Sequence, residues 1–149
     1  MRLKVYLDTS VFNALLDSRV AERQRETKEF WDRLASFAVA TSDTCRQEMQ
    51  QTLDDALRER LLGLLADVRV FKVTEEMEQL AQRYVAETIF KESMINDALH
   101  VACAVLGGQD VLVSWNFRHL VNRSRRSRIA EVNTTLGLPI VEIVAPPEI

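Results

Sequence analysis

Four oxygen-bearing side chains stand where this sequence turns from framework to polar loop. Asp8 directly follows the apolar run "LKVYL", Glu48 lies in "TCRQEMQQTL", Asp97 lies in "INDALHVACAV", and Asn116 follows "DVLVSW". Each alone has an ordinary explanation. An acid after a strand caps the next helix, a helical glutamate faces solvent, and an acid in a first helical turn answers the helix dipole. The set of four says more. Three carboxylates gathered within about 5 Å repel one another by about 3 kcal/mol per pair at an effective dielectric of about 20, so a cation must accompany them. Oxygen-only ligands favour Mg2+ or Mn2+ over zinc, and no histidine or cysteine is positioned by the pattern to join them. Such ions serve phosphoryl transfer, which points to hydrolysis of a phosphodiester.

Hydroxyl side chains flank these positions. Thr9 and Ser10 either hold water at the site or cap a helix, and Ser114 stands two residues before Asn116 as a further supporting hydroxyl. His100 reads as a satisfied core histidine in preference to a partner of Asp97. Trp115 reads as a packing residue at the rim.

For these residues to meet, the elements that carry them must share an edge. "LKVYL" (3–7) reads as a buried strand stopped by the capping cluster "DTS". Phe30, Trp31, Leu34 and Phe37 recur at helical spacing in "ETKEFWDRLASF", giving an amphipathic helix with an aromatic face. "FAVATS" (37–42) is a second strand, with Ser42 or Asp43 capping the helix that carries Glu48. Leu53, Leu57, Leu61 and Leu65 predict a helix ending near Ala66, and "VRVFKV" (68–73) a third strand.

Thr74 caps a helix whose face is Met77, Leu80, Ala81, Tyr84 and Val85. Ser93 is expected to cap the next, which ends at Gly107 and Gly108. "DVLVSW" is a fourth strand. An arginine-rich polar stretch follows, then a helix "RIAEVNTTLG" and a last strand "IVEIV". Strands alternating with helices predict an α/β fold with a mostly parallel central sheet, in which ligands bind at the carboxyl ends of strands.

Composition agrees. The 149 residues, 47% hydrophobic and 28% charged, fit one domain over 1–149 that buries roughly 68–70% of its unfolded surface. Cys45 and Cys103 fit no disulfide or zinc pattern and read as small buried residues. No apolar stretch reaches the roughly 20 residues of a membrane span, and "MRLKVYLDTS" is too short an apolar run for a signal peptide, so the chain is read as cytoplasmic with no membrane partner. A formal charge of −3 argues against coating nucleic acid by bulk electrostatics, though not against a local basic patch.

In order and spacing, "VYLDTSVFNALLD", the glutamate of "SDTCRQEM", "INDALHVACAV" and "VLVSWNFRHLVN" together resemble the PIN domain family, and within it the VapC-type toxins. The resemblance runs from Leu3 to about Val144. It implies a PIN-like three-layer α/β/α sandwich and a Mg2+- or Mn2+-dependent endoribonuclease. It also implies an RNA substrate, a cognate antitoxin protein as partner, and a homodimer. Carried over by position, Asp8, Glu48 and Asp97 match the family's acidic ligands, directly or through water, and Thr9 or Ser10 matches its small hydroxyl residue. Asn116 stands where many members have a fourth aspartate. An amide oxygen brings no charge, so this departure weakens the case for a second metal more than the case for catalysis.

Arg118, Arg123, Arg125, Arg126 and Arg128 fall within eleven residues just after Asn116. They are a candidate track for an RNA backbone, against a solvated basic loop or a docking surface for an acidic partner. Two further functions compete with the nuclease. One is an RNA-binding or interaction module in which Asn116 leaves the metal site too weak to cut. The other, a phosphatase using Asp8 as phospho-acceptor, would need an acid where Ser10 stands.

Overall fold

Every strand of the sheet runs parallel to its neighbours. The computed structural model describes residues 2–149, and its five strands are β1 (Leu3–Leu7), β2 (Phe37–Ser42), β3 (Arg69–Phe71), β4 (Val111–Val113) and β5 (Glu142–Val144). They lie in the order β3-β2-β1-β4-β5, with Tyr6 in register with Ala40 on one side and Leu112 on the other. β1 is therefore central, and both of its faces must be covered.

Alternation along the strand does this. Val5 and Leu7 point into one core and Tyr6 into the other, and all three are fully buried. The Val5 and Leu7 side is packed by α1 (Thr9–Leu16), α2 (Ala21–Asp32), α3 (Asp43–Gln50) and α4 (Asp55–Gly63), through residues such as Val11, Phe12, Phe30, Met49 and Leu61. The Tyr6 side is packed by α5 (Glu75–Ala86), α6 (Ile95–Leu106) and α7 (Arg123–Thr135), through Tyr84, Val101 and Ile129. The result is a three-layer α/β/α sandwich. Each fully buried aliphatic side chain contributes about 1.5–3 kcal/mol. Leu7→Ala would open a cavity immediately behind Asp8.

Helix starts follow local chemistry. Asp8, Ser42, Asp54, Thr74 and Asn122 each accept a hydrogen bond from a backbone N–H of the first turn they precede. α6 stops at Gly107, where a Cβ would lie 2.6 Å from the Cys103 carbonyl oxygen and 2.8 Å from the Phe71 ring.

Four local expectations are corrected. Ser93 does not cap α6; it lies in a short 3-10 turn over Glu92–Met94, and Met94 precedes the helix without a side-chain cap. Leu53 is 96% exposed and lies outside α4, which begins after the Asp54 cap. α2 ends at Asp32, so Phe37 belongs to β2 and stacks on Phe30 from there. α7 begins at Arg123, five residues before the expected Arg128, because Asn122 caps it by accepting from the Arg125 N–H.

Candidate active site

At the carboxyl ends of β1, β2 and β4 an open cleft of about 350 Å3 is lined by Asp8, Thr9, Ser10, Glu48, Asp97, His100 and Asn116, among others. All four predicted corner residues face it. Asp8 is the deepest, 3% exposed. Its backbone N–H donates to Val113 O, which ties it to the centre of the sheet. One carboxylate oxygen accepts from the Ser10 N–H and hydroxyl, and the other accepts from the Ser114 hydroxyl at 2.6 Å. Burial raises the Asp8 pKa; the charge of His100 and the two serine hydroxyls oppose that rise without cancelling it.

Thr9 donates its hydroxyl to Glu48 Oε1 at 2.7 Å. The same oxygen lies 2.6 Å from His100 Nε2, and His100 Nδ1 lies 2.8 Å from the Tyr6 hydroxyl, itself 2.7 Å from the Ser42 hydroxyl. A buried polar chain thus runs from the end of β2 through β1 and α6 to the cleft. Asp97, in the first turn of α6, receives the Asn116 side-chain amide at 3.4 Å and lies 3.0 Å from His119 Nδ1. The Asn116 carbonyl oxygen accepts the His119 backbone N–H at 2.9 Å.

These contacts add two hydrogen-bonding residues that the sequence pattern did not bring to the carboxylates. Two histidines do join the carboxylates, and each pairs with a different one. His100 is buried, and its bonds reach Glu48 and not only the core. Both were findable, since His100 stands three residues after Asp97 and His119 three after Asn116. Their partners, however, are separated from them by 52 and 22 residues in the chain.

The histidines also change the electrostatics. Among the described residues, no three His, Cys, Asp or Glu side chains stand close enough together to cage a metal ion. Glu48 is drawn to Thr9 and His100, and Asp97 to His119 and Asn116. The donor chemistry still fits a hard divalent cation. Three carboxylates and an amide oxygen line one cleft, and the innermost carboxylate is buried without a basic side chain bonded to it.

The arginines divide. Arg125 donates to the Ile89, Arg118 and His119 carbonyls, Arg126 to Ile143, and Arg128 to Thr88 and Glu87. Among the described residues, Arg118 and Arg123 make no side-chain hydrogen bond or salt bridge. Trp115 is 8% exposed and donates its indole N–H to Thr27 Oγ1, so it is a packing residue as expected. Both cysteine thiols are buried, and burial pushes each up to about 11.

A parallel α/β/α sandwich with acids gathered at the carboxyl edge of its central strand defines a class that sequence comparison identifies. The PIN domain family model matches residues 5–119, and the chain belongs to the PIN domain family. No curated protein matches significantly. Among solved structures, Mycobacterium tuberculosis VapC20, described as a sarcin-ricin loop cleaving toxin, is similar at 21% identity and a TM-score of 0.62, over 77% of this chain and 92% of that one. FitAB bound to a DNA fragment gives 18% identity and a TM-score of 0.64 over 97% and 96%. VapBC-1 of nontypeable Haemophilus influenzae gives 17% and 0.60 over 95% and 97%. At these identities the likeness is one of fold.

Proposed function

We propose that the protein is a Mg2+- or Mn2+-dependent endoribonuclease, the toxin of a type II toxin–antitoxin pair. The observation that carries the reading is the shared cleft of Asp8, Glu48, Asp97 and Asn116 in a PIN-family chain. Asp8, Glu48 and Asp97 would hold the cation, which when bound supplies charge stabilisation at the scissile phosphate and a more acidic water. Ser10 and Ser114 fix the Asp8 oxygens, while Thr9 and His100 fix Glu48. Asn116 orients the attacking water from the rim. The proton of that water leaves to solvent through the open mouth of the cleft. Water oxygen adds to phosphorus as the P–O3′ bond breaks and O3′ takes a proton from solvent, leaving 5′-phosphate and 3′-hydroxyl ends.

Toxin–antitoxin complexes among the similar folds support a protein antitoxin as partner. We place the protein in the cytoplasm; no helix among the described residues is long and apolar enough to cross a membrane. A homodimer, implied by the family resemblance, is checked by its mass in solution; Phe30, Leu61 and Leu65 of the segment between 30 and 65 are buried in the chain's own core. Arg118 and Arg123 keep free guanidiniums for an RNA backbone; Arg125, Arg126 and Arg128 would contribute mainly through long-range charge.

The test is cleavage of labelled RNA with Mn2+ or Mg2+, with EDTA, and with Asp8→Asn. Cleavage that needs metal and Asp8 supports the proposal, whereas cutting that survives EDTA and the substitution overturns it. A second reading, an RNA-binding module that does not cut, is favoured by the hold of the histidines on Glu48 and Asp97. It predicts RNA binding without cleavage at any metal concentration.

A further inference from the structure

Beside the acidic cleft lies a second one of about 370 Å3, lined by Ser10, Asn13, Asp17, Arg23, Trp115 and Asn116, among others. Ser10, Asn13 and Asn116 line both, so the two are continuous. The second has a different character. Trp115 is held by its bond to Thr27 and lies under Arg23, whose guanidinium carbon is 5.1 Å from the ring centroid. Phe117 does not line the cleft itself but adjoins it through Trp115, against which it packs edge-on with centroids 5.9 Å apart, and it is 48% exposed. Its N–H donates to the Trp115 carbonyl, which fixes the turn that presents it.

Arg23 is exposed and, among the described residues, makes no side-chain hydrogen bond or salt bridge. The acid in this cleft, Asp17, is already bonded to Arg19 at 2.9 and 3.0 Å. An exposed aromatic ring beside a guanidinium that lies on Trp115 but, among the described residues, has no hydrogen-bond or ion-pair partner matches one nucleotide of a single strand. The base stacks on the ring and the phosphate meets the arginine.

We propose that this second cleft is a nucleotide subsite for single-stranded RNA, seating the residue next to the scissile phosphate with its base on Phe117 and its phosphate on Arg23. The proposal rests on the ribonuclease reading, because a strand whose scissile phosphate lies among Asp8, Glu48 and Asp97 reaches this cleft across the shared residues Ser10 and Asn116.

The experiment measures binding by fluorescence anisotropy, in EDTA so that nothing is cut, of a short labelled RNA as single strand and as duplex. The proteins are the full chain and its Phe117→Ala, Phe117→Trp and Arg23→Gln variants. Phe117→Ala should weaken single-strand binding by about 5- to 150-fold and Phe117→Trp should restore it, with duplex binding unmoved. Arg23→Gln should flatten the slope of log affinity against log salt by about 0.7. Unchanged single-strand affinity in folded variants overturns the subsite and leaves the cleft to a peptide. If the parent shows this binding pattern yet cuts no RNA when Mn2+ is added, the subsite stands and the ribonuclease reading falls. If the parent binds no single-stranded RNA, the subsite falls, and the ribonuclease reading is decided by cleavage with Mn2+.

Discussion

His100 Nε2 lies 2.6 Å from Glu48 Oε1, deep enough that the imidazole is 2% exposed. A buried ring on a partly buried carboxylate is a pair whose separation leaves one member without a partner, and the loss is larger than the net worth of the bond. His100→Ala should therefore lower unfolding stability by about 2–4 kcal/mol in urea. His100→Gln, whose amide can donate to Glu48, should recover part of that. Equal stability of parent and His100→Ala would show the pair to be inert.

The same contact sets a pH window in the metal-free protein. Burial pushes the Glu48 carboxyl up, but the bond and charge of His100 and the Thr9 hydroxyl bring it below its ordinary 4.5. The folded chain thus binds fewer protons there, and the stability gained is present above pH 4.5 and lost as pH falls through the lower folded value. His100 is pulled down by burial but raised further by Glu48, Asp8 and Asp97, ending above 6.5. Its contribution is full below pH 6.5 and lost as pH rises through the folded value. The Tm difference between parent and His100→Ala should be widest between pH 4.5 and 6.5. A difference that does not vary with pH would contradict this.

Asp8→Asn separates activity from stability. Burial already holds the Asp8 pKa above its ordinary value, so the folded chain bears a cost in keeping that group charged at neutral pH. An amide of the same shape removes this cost, and its carbonyl oxygen still accepts from Ser10 or Ser114. The variant should unfold no earlier than the parent in thermal melts, while metal-dependent RNA cleavage drops by about 100-fold or more. A variant that loses both stability and cleavage would point to a structural role for the charge.

At Asn116 the amide bonds in two directions, from its nitrogen to Asp97 and from the His119 N–H to its oxygen. Asn116→Asp keeps the acceptor but sets a second carboxylate against Asp97. Without metal it should cost about 1 kcal/mol, and with Mn2+ it should bind the ion more tightly by titration calorimetry. Asn116→Ala that cuts at the parental rate would make this corner structural only.

Arg125→Ala should cost about 1–3 kcal/mol in urea, since the guanidinium donates to three carbonyls and lies over Phe90. Arg118→Ala and Arg123→Ala should leave stability unchanged and flatten the salt dependence of RNA binding. The reverse assignment would refute this division of the arginines.

The runs "LKVYL" and "FAVATS" coincide with β1 and β2 because each is a short buried strand ended by a helix cap, a signal contained within a few residues. Thr74 was legible for the same reason. The start of α7 was not, because its first five residues carry no apolar period; only Asn122 marked it. In the site, Asp8, Glu48, Asp97 and Asn116 were readable from their place after strands or on the adjoining helices. The pairing of His100 with Glu48 and of His119 with Asp97 was not, since it depends on how α3 and the loop after β4 meet α6. The same holds for Arg125, whose charge suggested solvent and whose neighbours are carbonyls.

The bond from the Asp8 N–H to Val113 O joins the innermost acid to the middle pair of the sheet. Amides in such a position exchange with deuterium only when the whole domain opens, whereas those of a surface turn such as Trp115–Leu120 exchange through local fluctuations. The cleft therefore has one wall whose exchange follows global unfolding and another whose amides, bonded within the turn and to nearby side chains, exchange by local opening. A bound strand or cation would be detected first as slowed exchange at Asn116 and Phe117, with Asp8 already at its limit.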